Sequence, residues 1–130
     1  MQASELVQEA LTSRIIGAAI EVHRALGAGY HESVYANALS VALTARGITH
    51  TREHEVALYF NGIHVGQHRL DLLVEDKVVV ELKAVEKLLE VHKAQTRSYL
   101  KSTKKEVGLL LNFDAPVLEM KRFVLTEDHK

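Results

Sequence analysis

The sequence predicts one α/β domain, residues 1–130, in which helices flank a mixed central sheet in the order ααβββαβ(β). Three observations lead to this fold class. Residues 4–46 carry apolar side chains at helical spacing, interrupted by a glycine-rich turn. Two β-rich runs then flank Asn61-Gly62, the strongest short hairpin signal. Finally, two strongly apolar runs are separated by a helical stretch, as in a covered sheet with a crossover connection.

Each element is predicted from its own pattern. The predicted elements are helices at 4–26 and 31–46, strands at 52–60, 63–74 and 77–84, a helix at 86–101, and strands at 106–113 and 118–125. Gly27 and Gly47 end the first two helices, and Gly66 marks a candidate bulge in the second strand. The strand at 77–84 is apolar on both faces except at Glu81 and Lys83, which predicts a central position in the sheet.

Composition narrows the possible classes of protein. With 130 residues and 47% apolar content, the chain can build one real core. It has no cysteine, which excludes a disulfide frame and a thiolate zinc site. Its first residues lack a basic region followed by an apolar block, so no signal peptide is expected. No apolar run approaches the roughly 20 residues that cross a bilayer, and we expect a cytoplasmic protein without a membrane partner.

Charge is distributed unevenly along the chain. The net charge of −1 gives no overall attraction to nucleic acid. Residues 83–105, however, hold seven Lys or Arg and two Glu, a local excess of +5. Such a basic stripe can bind a polyanion even in a neutral protein. The alternative is a solvated helix face.

Within residues 71–83, two apolar runs flank a charged turn at 75–77, and three further charged residues lie where a buried sheet should be apolar: Asp71, Glu81 and Lys83. Buried charges are costly unless they are paired or bind a metal. Two acids and a lysine on adjacent strands therefore predict a site for a divalent cation and a phosphate. Hard oxygen ligands suit Mg²⁺ or Mn²⁺.

Whether the two acids meet depends on the turn between their strands. A three-residue loop, 75–77, pairs Val74 with Val78 and places Asp71 opposite Glu81. A two-residue loop would put the acids on opposite faces, since a shift of one residue inverts a strand. We predict the odd-length loop, or a bulge with the same parity.

The helix that follows carries polar residues on one stripe. Leu88, His92, Gln95 and Tyr99 recur at helical spacing, and Gln95 and Tyr99 are neighbours on adjacent turns. Polar groups on a sheet-facing stripe need partners, which a bound phosphate or water could provide. The alternatives are a satisfied buried amide for Gln95, a core aromatic for Tyr99 and a surface position for His92.

These motifs resemble a known family. Asp71 followed by Glu81-Leu82-Lys83 is similar to the D…(D/E)xK signature of the PD-(D/E)xK nuclease superfamily. The segment 95–99 resembles the QxxxY motif of its helicase-associated exonuclease branch, and 29–35 resembles the signature of the GxxExxY proteins. Leu70 stands where the family often has proline. The resemblance spans about residues 15–125 and implies a restriction-endonuclease-like core.

The resemblance also implies a metal site. Asp71 and Glu81 would be metal ligands, with the backbone carbonyl of Leu82 as a candidate third. Glu32, near the start of the second helix, would be the extra acid that completes the site. The alternative for Glu32 is a first-turn acid that favours the helix dipole.

The remaining roles implied by the resemblance concern catalysis. Lys83 would be the catalytic lysine, and Gln95 and Tyr99 would orient substrate or water. Beside two carboxylates, Lys83 should stay protonated, position the attacking water and offset charge on phosphorus. The alternatives are that Lys83 extends to solvent at the strand end and that Asp71 is a structural partner of Arg69 or Lys83.

These observations predict a Mg²⁺-dependent nuclease that hydrolyses DNA, with RNA as the alternative substrate. A chain of this size has little surface for reading sequence, so selectivity for ends, flaps or junctions is expected. Cutting both strands needs two active sites, which makes a homodimer plausible. The alternatives are a catalytically silent nuclease-fold module that binds nucleic acid or a protein partner, and a small-molecule phosphodiesterase.

Overall fold

Eight helices and strands follow one another in the order predicted from the sequence. The computed structural model describes residues 8–125. Its elements are α1 (Glu9–Leu26), α2 (Glu32–Ala45), β1 (His50–Phe60), β2 (Ile63–Val74), β3 (Val78–Lys83), α3 (Glu90–Thr103), β4 (Val107–Asn112) and β5 (Glu119–Val124). The order confirms ααβββαβ(β). The predicted helical residues 4–7 and the N-terminal stretch searched for a signal peptide lie outside the described residues.

The five strands form one mixed sheet in the order β1-β2-β3-β4-β5. Neighbouring strands are antiparallel except β3 and β4, which run parallel and are joined through α3. The central position predicted for β3 is confirmed, and its residues are buried up to Leu82. Within residues 8–125, no helix combines the length and the apolar character that crossing a membrane requires.

Helices cover the sheet on both faces, as predicted. Val78, Val80 and Leu82 pack in the core beneath α1 and α2, whereas Val79 packs with Leu100 of α3 on the opposite face. This alternation follows from the pleat, because successive strand residues point to opposite sides. Glu81 has the parity of Val79, so the strand directs it towards the α3 face.

The β1–β2 hairpin turns at Asn61 and Gly62, whose φ angles of 51° and 76° are those of a type I′ turn. A bulge follows in β2. Leu58 pairs with Gly66 and Tyr59 with His64, which leaves Val65 unpaired. The bulge therefore lies beside Gly66 and not at it, because most bulge geometries accept any residue.

The start of α3 differs from the prediction. The helix begins at Glu90 and not at residue 86, because other contacts shape the preceding segment. The Asn112 side chain accepts a hydrogen bond from the Val85 N–H at 3.0 Å and donates one to the Val85 carbonyl at 2.8 Å. His92 Nδ1 accepts the Leu89 N–H at 3.0 Å. His92 thus caps the helix, a role that the sequence analysis missed.

Candidate active site

The turn between β2 and β3 has the parity that brings the two acids together. Val74 pairs with Val78 across the loop 75–77, which confirms the three-residue loop. Glu75 and Asp76 both have positive φ angles, 53° and 56°. Such angles are uncommon for residues other than glycine. The tight turn that they produce sets the register between β2 and β3.

Beyond the turn, β2 and β3 part, and carboxylates take over the hydrogen bonds of the sheet. The paired residues end at Leu72 and Val80. The next N–H groups bond to side chains: the Asp71 N–H donates to Glu81 Oε2 at 2.8 Å, and the Leu82 N–H donates to Asp71 Oδ2 at 2.8 Å. Each acid therefore bonds the backbone of the other strand. This reciprocal exchange holds both carboxylates where the strands separate.

Burial makes this pair electrostatically unusual. The Glu81 side chain is only 3% exposed. Its burial, followed by the charge of Asp71, raises the pKa of Glu81 to about 8, against the lowering effects of the Asp71 N–H and Lys83. Burial likewise raises the pKa of Asp71, opposed mainly by the hydrogen bond from Leu82. The two acids therefore lack the positive charge that would stabilise both of them in the ionised form.

The positive charge of Lys83 acts on both acids. Its charge lowers the pKa of Asp71 and of Glu81. Its carbonyl accepts the Phe113 N–H at 2.9 Å, so the backbone is fixed at the end of β3. The ion pairs within 4.0 Å in residues 8–125 do not include Lys83, and Arg69 pairs with Glu53 at 2.9 Å. Asp71 is thus not the partner of Arg69.

Glu32 comes to the same place from the first turn of α2. It is exposed, and its charge contributes to the raised pKa of Glu81. A hollow of about 200 Å³, here called the acid cleft, is lined by Glu32, Ser33, Ala36, Arg52, Glu53, Asp71 and Leu82. Glu81 is not among these lining residues. The cleft brings Glu32 and Asp71 together, and the role of Glu32 as a metal ligand stays a prediction.

Tyr35 of the GxxExxY segment fixes the loop that leads into Glu32. Tyr35 is fully buried and stacks on Phe113 with ring centroids 4.8 Å apart. Its hydroxyl donates to the Gly27 carbonyl at 2.5 Å and accepts the Tyr30 N–H at 3.2 Å. The tyrosine therefore supports the position of Glu32 without approaching the acids.

On the α3 side, Tyr99 faces the acids and Gln95 does not. Tyr99 is 7% exposed, and burial, then Glu81 and Asp71, raise its pKa. Thr96 is also buried. Gln95 is exposed, because one residue rotates a helix by about 100° and Thr96 already points at the sheet. The predicted sheet-facing position of Gln95 is wrong, because the residue is exposed on α3.

Sequence reasoning missed three residues near the acids. Arg52 and Glu53 line the acid cleft, and both act on the pKa of Asp71. Asn112 pairs with Lys83 in the β3–β4 register and is fully buried. Asn112 could have been found from the sequence, because it is a polar residue directly after the apolar run 107–111. Arg52 and Glu53 offered none, because they lie in a strand rich in charged residues.

The chemistry of the donors suits a divalent cation, although no group of three or more His, Asp or Glu side chains within residues 8–125 is arranged to hold a metal ion. The hydrogen bonds described above use one oxygen of each acid, Oδ2 of Asp71 and Oε2 of Glu81. The second oxygens are left for a ligand. The Leu82 N–H points towards β2, and in an extended strand the carbonyl of the same residue faces the same side. These hard oxygens suit Mg²⁺ or Mn²⁺.

Comparison with known proteins identifies the fold and the family of the chain. The crystal structure of SSO0001 matches with a TM-score of 0.60 at 20% identity, over 75% of this chain and 52% of that one, so this chain spans about half its length. The likeness confirms the restriction-endonuclease-like fold. The comparison with curated proteins found no match. The model of the PD-(D/E)XK nuclease superfamily matches residues 9–123. The chain therefore belongs to the PD-(D/E)XK nuclease superfamily.

Proposed function

We propose that this protein is a Mg²⁺- or Mn²⁺-dependent nuclease that hydrolyses phosphodiester bonds in DNA, with RNA as the alternative substrate. One observation carries the proposal: where β2 and β3 part, Glu81 accepts the Asp71 N–H and Asp71 accepts the Leu82 N–H, with Lys83 close enough to lower the pKa of both acids. Membership in the nuclease superfamily supports the reaction class.

The proposed metal ligands are Asp71, Glu81 and the Leu82 carbonyl, with Glu32 completing the site. A bound divalent cation supplies polarisation of the scissile phosphate and a lowered pKa for the attacking water. The raised pKa of Glu81 fits this assignment, because a buried acid pair becomes doubly ionised only when positive charge is added.

The proposed catalytic groups of the chain itself lie around these ligands. Lys83 donates to a non-bridging phosphate oxygen, where it offsets the charge that builds in the transition state and helps to position the water. The Tyr99 hydroxyl has a raised pKa, so it remains a hydrogen-bond donor towards the acids or the substrate. Gln95, which is exposed on α3, contacts the substrate outside the metal site.

Lys83→Ala tests the assignment. We expect Mg²⁺-dependent cleavage of a mixed single- and double-stranded DNA substrate to fall about 10³-fold, because a preorganised cation in a protected site has an effect of this size. Lys77→Ala, which removes an exposed lysine outside the basic residues 83–105, is the matched control and should cleave like wild type. A Lys83→Ala protein with an unchanged melting temperature and wild-type rates would refute the chemistry.

One observation favours a second candidate, the catalytically silent module that binds nucleic acid or a protein partner. The part of the chain that the structure describes contains no three-ligand cluster for a metal. Isothermal titration with Mn²⁺ beside the cleavage assay separates the two functions. Metal binding without cleavage of any substrate supports the module, whereas binding together with Lys83-dependent cleavage supports the nuclease.

The finer assignments belong to the same proposal. We place the chain in the GxxExxY group, supported by the contacts that Tyr35 makes around the loop before Glu32. Selectivity for ends, flaps or junctions is proposed because residues 8–125 contain little beyond the catalytic core. A homodimer, which sedimentation would detect, and action in the cytoplasm remain predictions.

A further inference from the structure

A second hollow lies between α3 and residues of β1, β2 and β5, and the nuclease chemistry does not use it. Its volume is about 780 Å³, against about 200 Å³ for the acid cleft. We call it the α3 cavity. The described residues that line it include Arg97, Ser98, Lys101 and Ser102 of α3, with Leu100 and Phe123 among its apolar residues. Pockets of about 300–1,000 Å³ accept organic ligands of nucleotide size.

The lining combines an apolar surface with cations. Leu100 is 1% and Phe123 7% exposed, so both present only small apolar surfaces to the cavity. Arg97 and Lys101 are exposed, and the Arg97 guanidinium lies 5.2 Å from the centroid of the Phe123 ring. None of the described lining residues is acidic. A ligand with a flat apolar part and a negative charge complements this surface.

The α3 cavity is adjacent to the proposed active site. His68 lines the cavity and contacts Tyr99, with ring centroids 4.3 Å apart at an interplanar angle of 61°. His68 Nδ1 is also 3.0 Å from Ser102 Oγ. Tyr99 in turn has its pKa raised by Glu81. The His68–Tyr99 ring pair therefore connects the cavity to the part of α3 that the charges of Glu81 and Asp71 reach.

We propose that the α3 cavity holds one unpaired nucleotide of the substrate, with its base packed on the exposed Arg97 guanidinium that lies over Phe123 and its phosphate at Lys101. This deepens the proposed nuclease function and rests on it. A paired base is stacked between its neighbours and cannot enter a cavity, whereas an unpaired base packs readily on aromatic and guanidinium groups. The substrate class is accordingly nucleic acid with a single-stranded segment.

Binding in EDTA tests this proposal separately from cleavage. Fluorescence anisotropy would compare a labelled single-stranded oligonucleotide with the same strand in a blunt duplex, at one salt concentration. We expect Arg97→Gln/Lys101→Gln to weaken single-strand binding about 10-fold and duplex binding less than about 3-fold. The control, Arg24→Gln/Lys77→Gln, removes two exposed cations from elsewhere and should change each affinity less than about 3-fold.

A second variant fills the cavity without changing charge. Ser98→Trp occupies an exposed helix position, so it should fold with an unchanged melting temperature and still lose single-strand binding about 10-fold. Equal losses on single strand and duplex, or unchanged binding by Ser98→Trp, would overturn the proposal. Displacement of the oligonucleotide by micromolar free nucleoside monophosphate would overturn its assignment to a polymer substrate.

The two proposals fail in different ways. If Lys83→Ala cleaves like wild type while the cavity variants lose single-strand binding, the nuclease assignment fails and the binding site stands. If Lys83→Ala loses cleavage while the cavity variants bind like wild type, the nuclease stands and the cavity assignment fails.

Discussion

The acid cleft and the α3 cavity are built in opposite ways. Beside the acid cleft, Asp71 and Glu81 are held by backbone hydrogen bonds, because their carboxylates replace bonds that β2 and β3 would otherwise make. The cavity takes its cations from exposed positions on a helix, where neither Arg97 nor Lys101 is buried. The proposed catalytic acids therefore have rigid support from the sheet, whereas the cations that would attract a polymer do not.

The acid cleft and the α3 cavity also differ in their electrostatics. Burial raises the pKa of Asp71 and Glu81, so the cleft resists additional negative charge until a cation is present. The α3 cavity has no acid among its described lining residues and attracts an anion without a cofactor. We therefore expect substrate binding without metal to depend on the cavity, and turnover to depend on the cleft.

Asp71→Asn should give the largest effect and separate the two regions. The amide still accepts the Leu82 N–H but loses the charge that a cation requires, so cleavage should fall about 10³-fold. Single-strand affinity in EDTA should not fall, since a negative charge has been removed. Initial rates and anisotropy measure the two quantities. Weakened binding that matches the loss of rate would show that the cleft and the cavity are not functionally separate.

Glu81→Gln should stabilise the protein without metal, and only at high pH. Because the pKa of Glu81 is raised from 4.5 to about 8, the folded state keeps a proton that the unfolded state releases above 4.5. This contribution to stability is fully present below pH 4.5 and is lost as pH rises towards 8. In EDTA at pH 8.5 we expect the melting temperature of the variant to exceed wild type by about 8 °C.

The control for this pH effect is Glu86→Gln, which neutralises an exposed acid in the loop after β3. It should melt like wild type throughout the pH range. In calorimetry at pH 4.5, Glu81→Gln and wild type should have equal melting temperatures. A stability difference that is the same at both pH values would contradict a raised pKa as its cause.

Tyr35→Phe should give the smallest of these effects. The variant keeps the stacking on Phe113 but leaves the Gly27 carbonyl without its hydroxyl donor, so urea unfolding should show a loss of about 1 kcal/mol. Tyr30→Phe changes a tyrosine that is 48% exposed and should be neutral. Equal stability of both variants would remove the structural role assigned to Tyr35.

The parts of the site that follow from local periodicity were predictable. The odd-length turn and strand alternation were enough to place Asp71 beside Glu81, and the structure confirms the register that produces this arrangement. The hairpin at Asn61-Gly62 is likewise a local property of two residues with positive φ. Glu32 was reached through the resemblance, because nothing in its own helix indicates a cleft.

The parts that depend on a distant partner were not predictable. The start of α3 moved to Glu90 because Asn112, on another strand, holds the backbone of Val85. Gln95 was assigned to the sheet from spacing alone, but the exact rotation of a helix is set by packing, here by Thr96 and Tyr99. The α3 cavity was visible only as an excess of basic residues.

The element order, the turn that sets the register and the identity of the paired acids follow from local sequence, because periodicity and turn chemistry act between near neighbours. Long-range packing is needed to explain why β2 and β3 part at these acids, why α2 brings Glu32 to the cleft beside them, and why α3 and β5 enclose a cavity. Those outcomes depend on which surfaces pack together, and packing joins residues that the sequence keeps far apart.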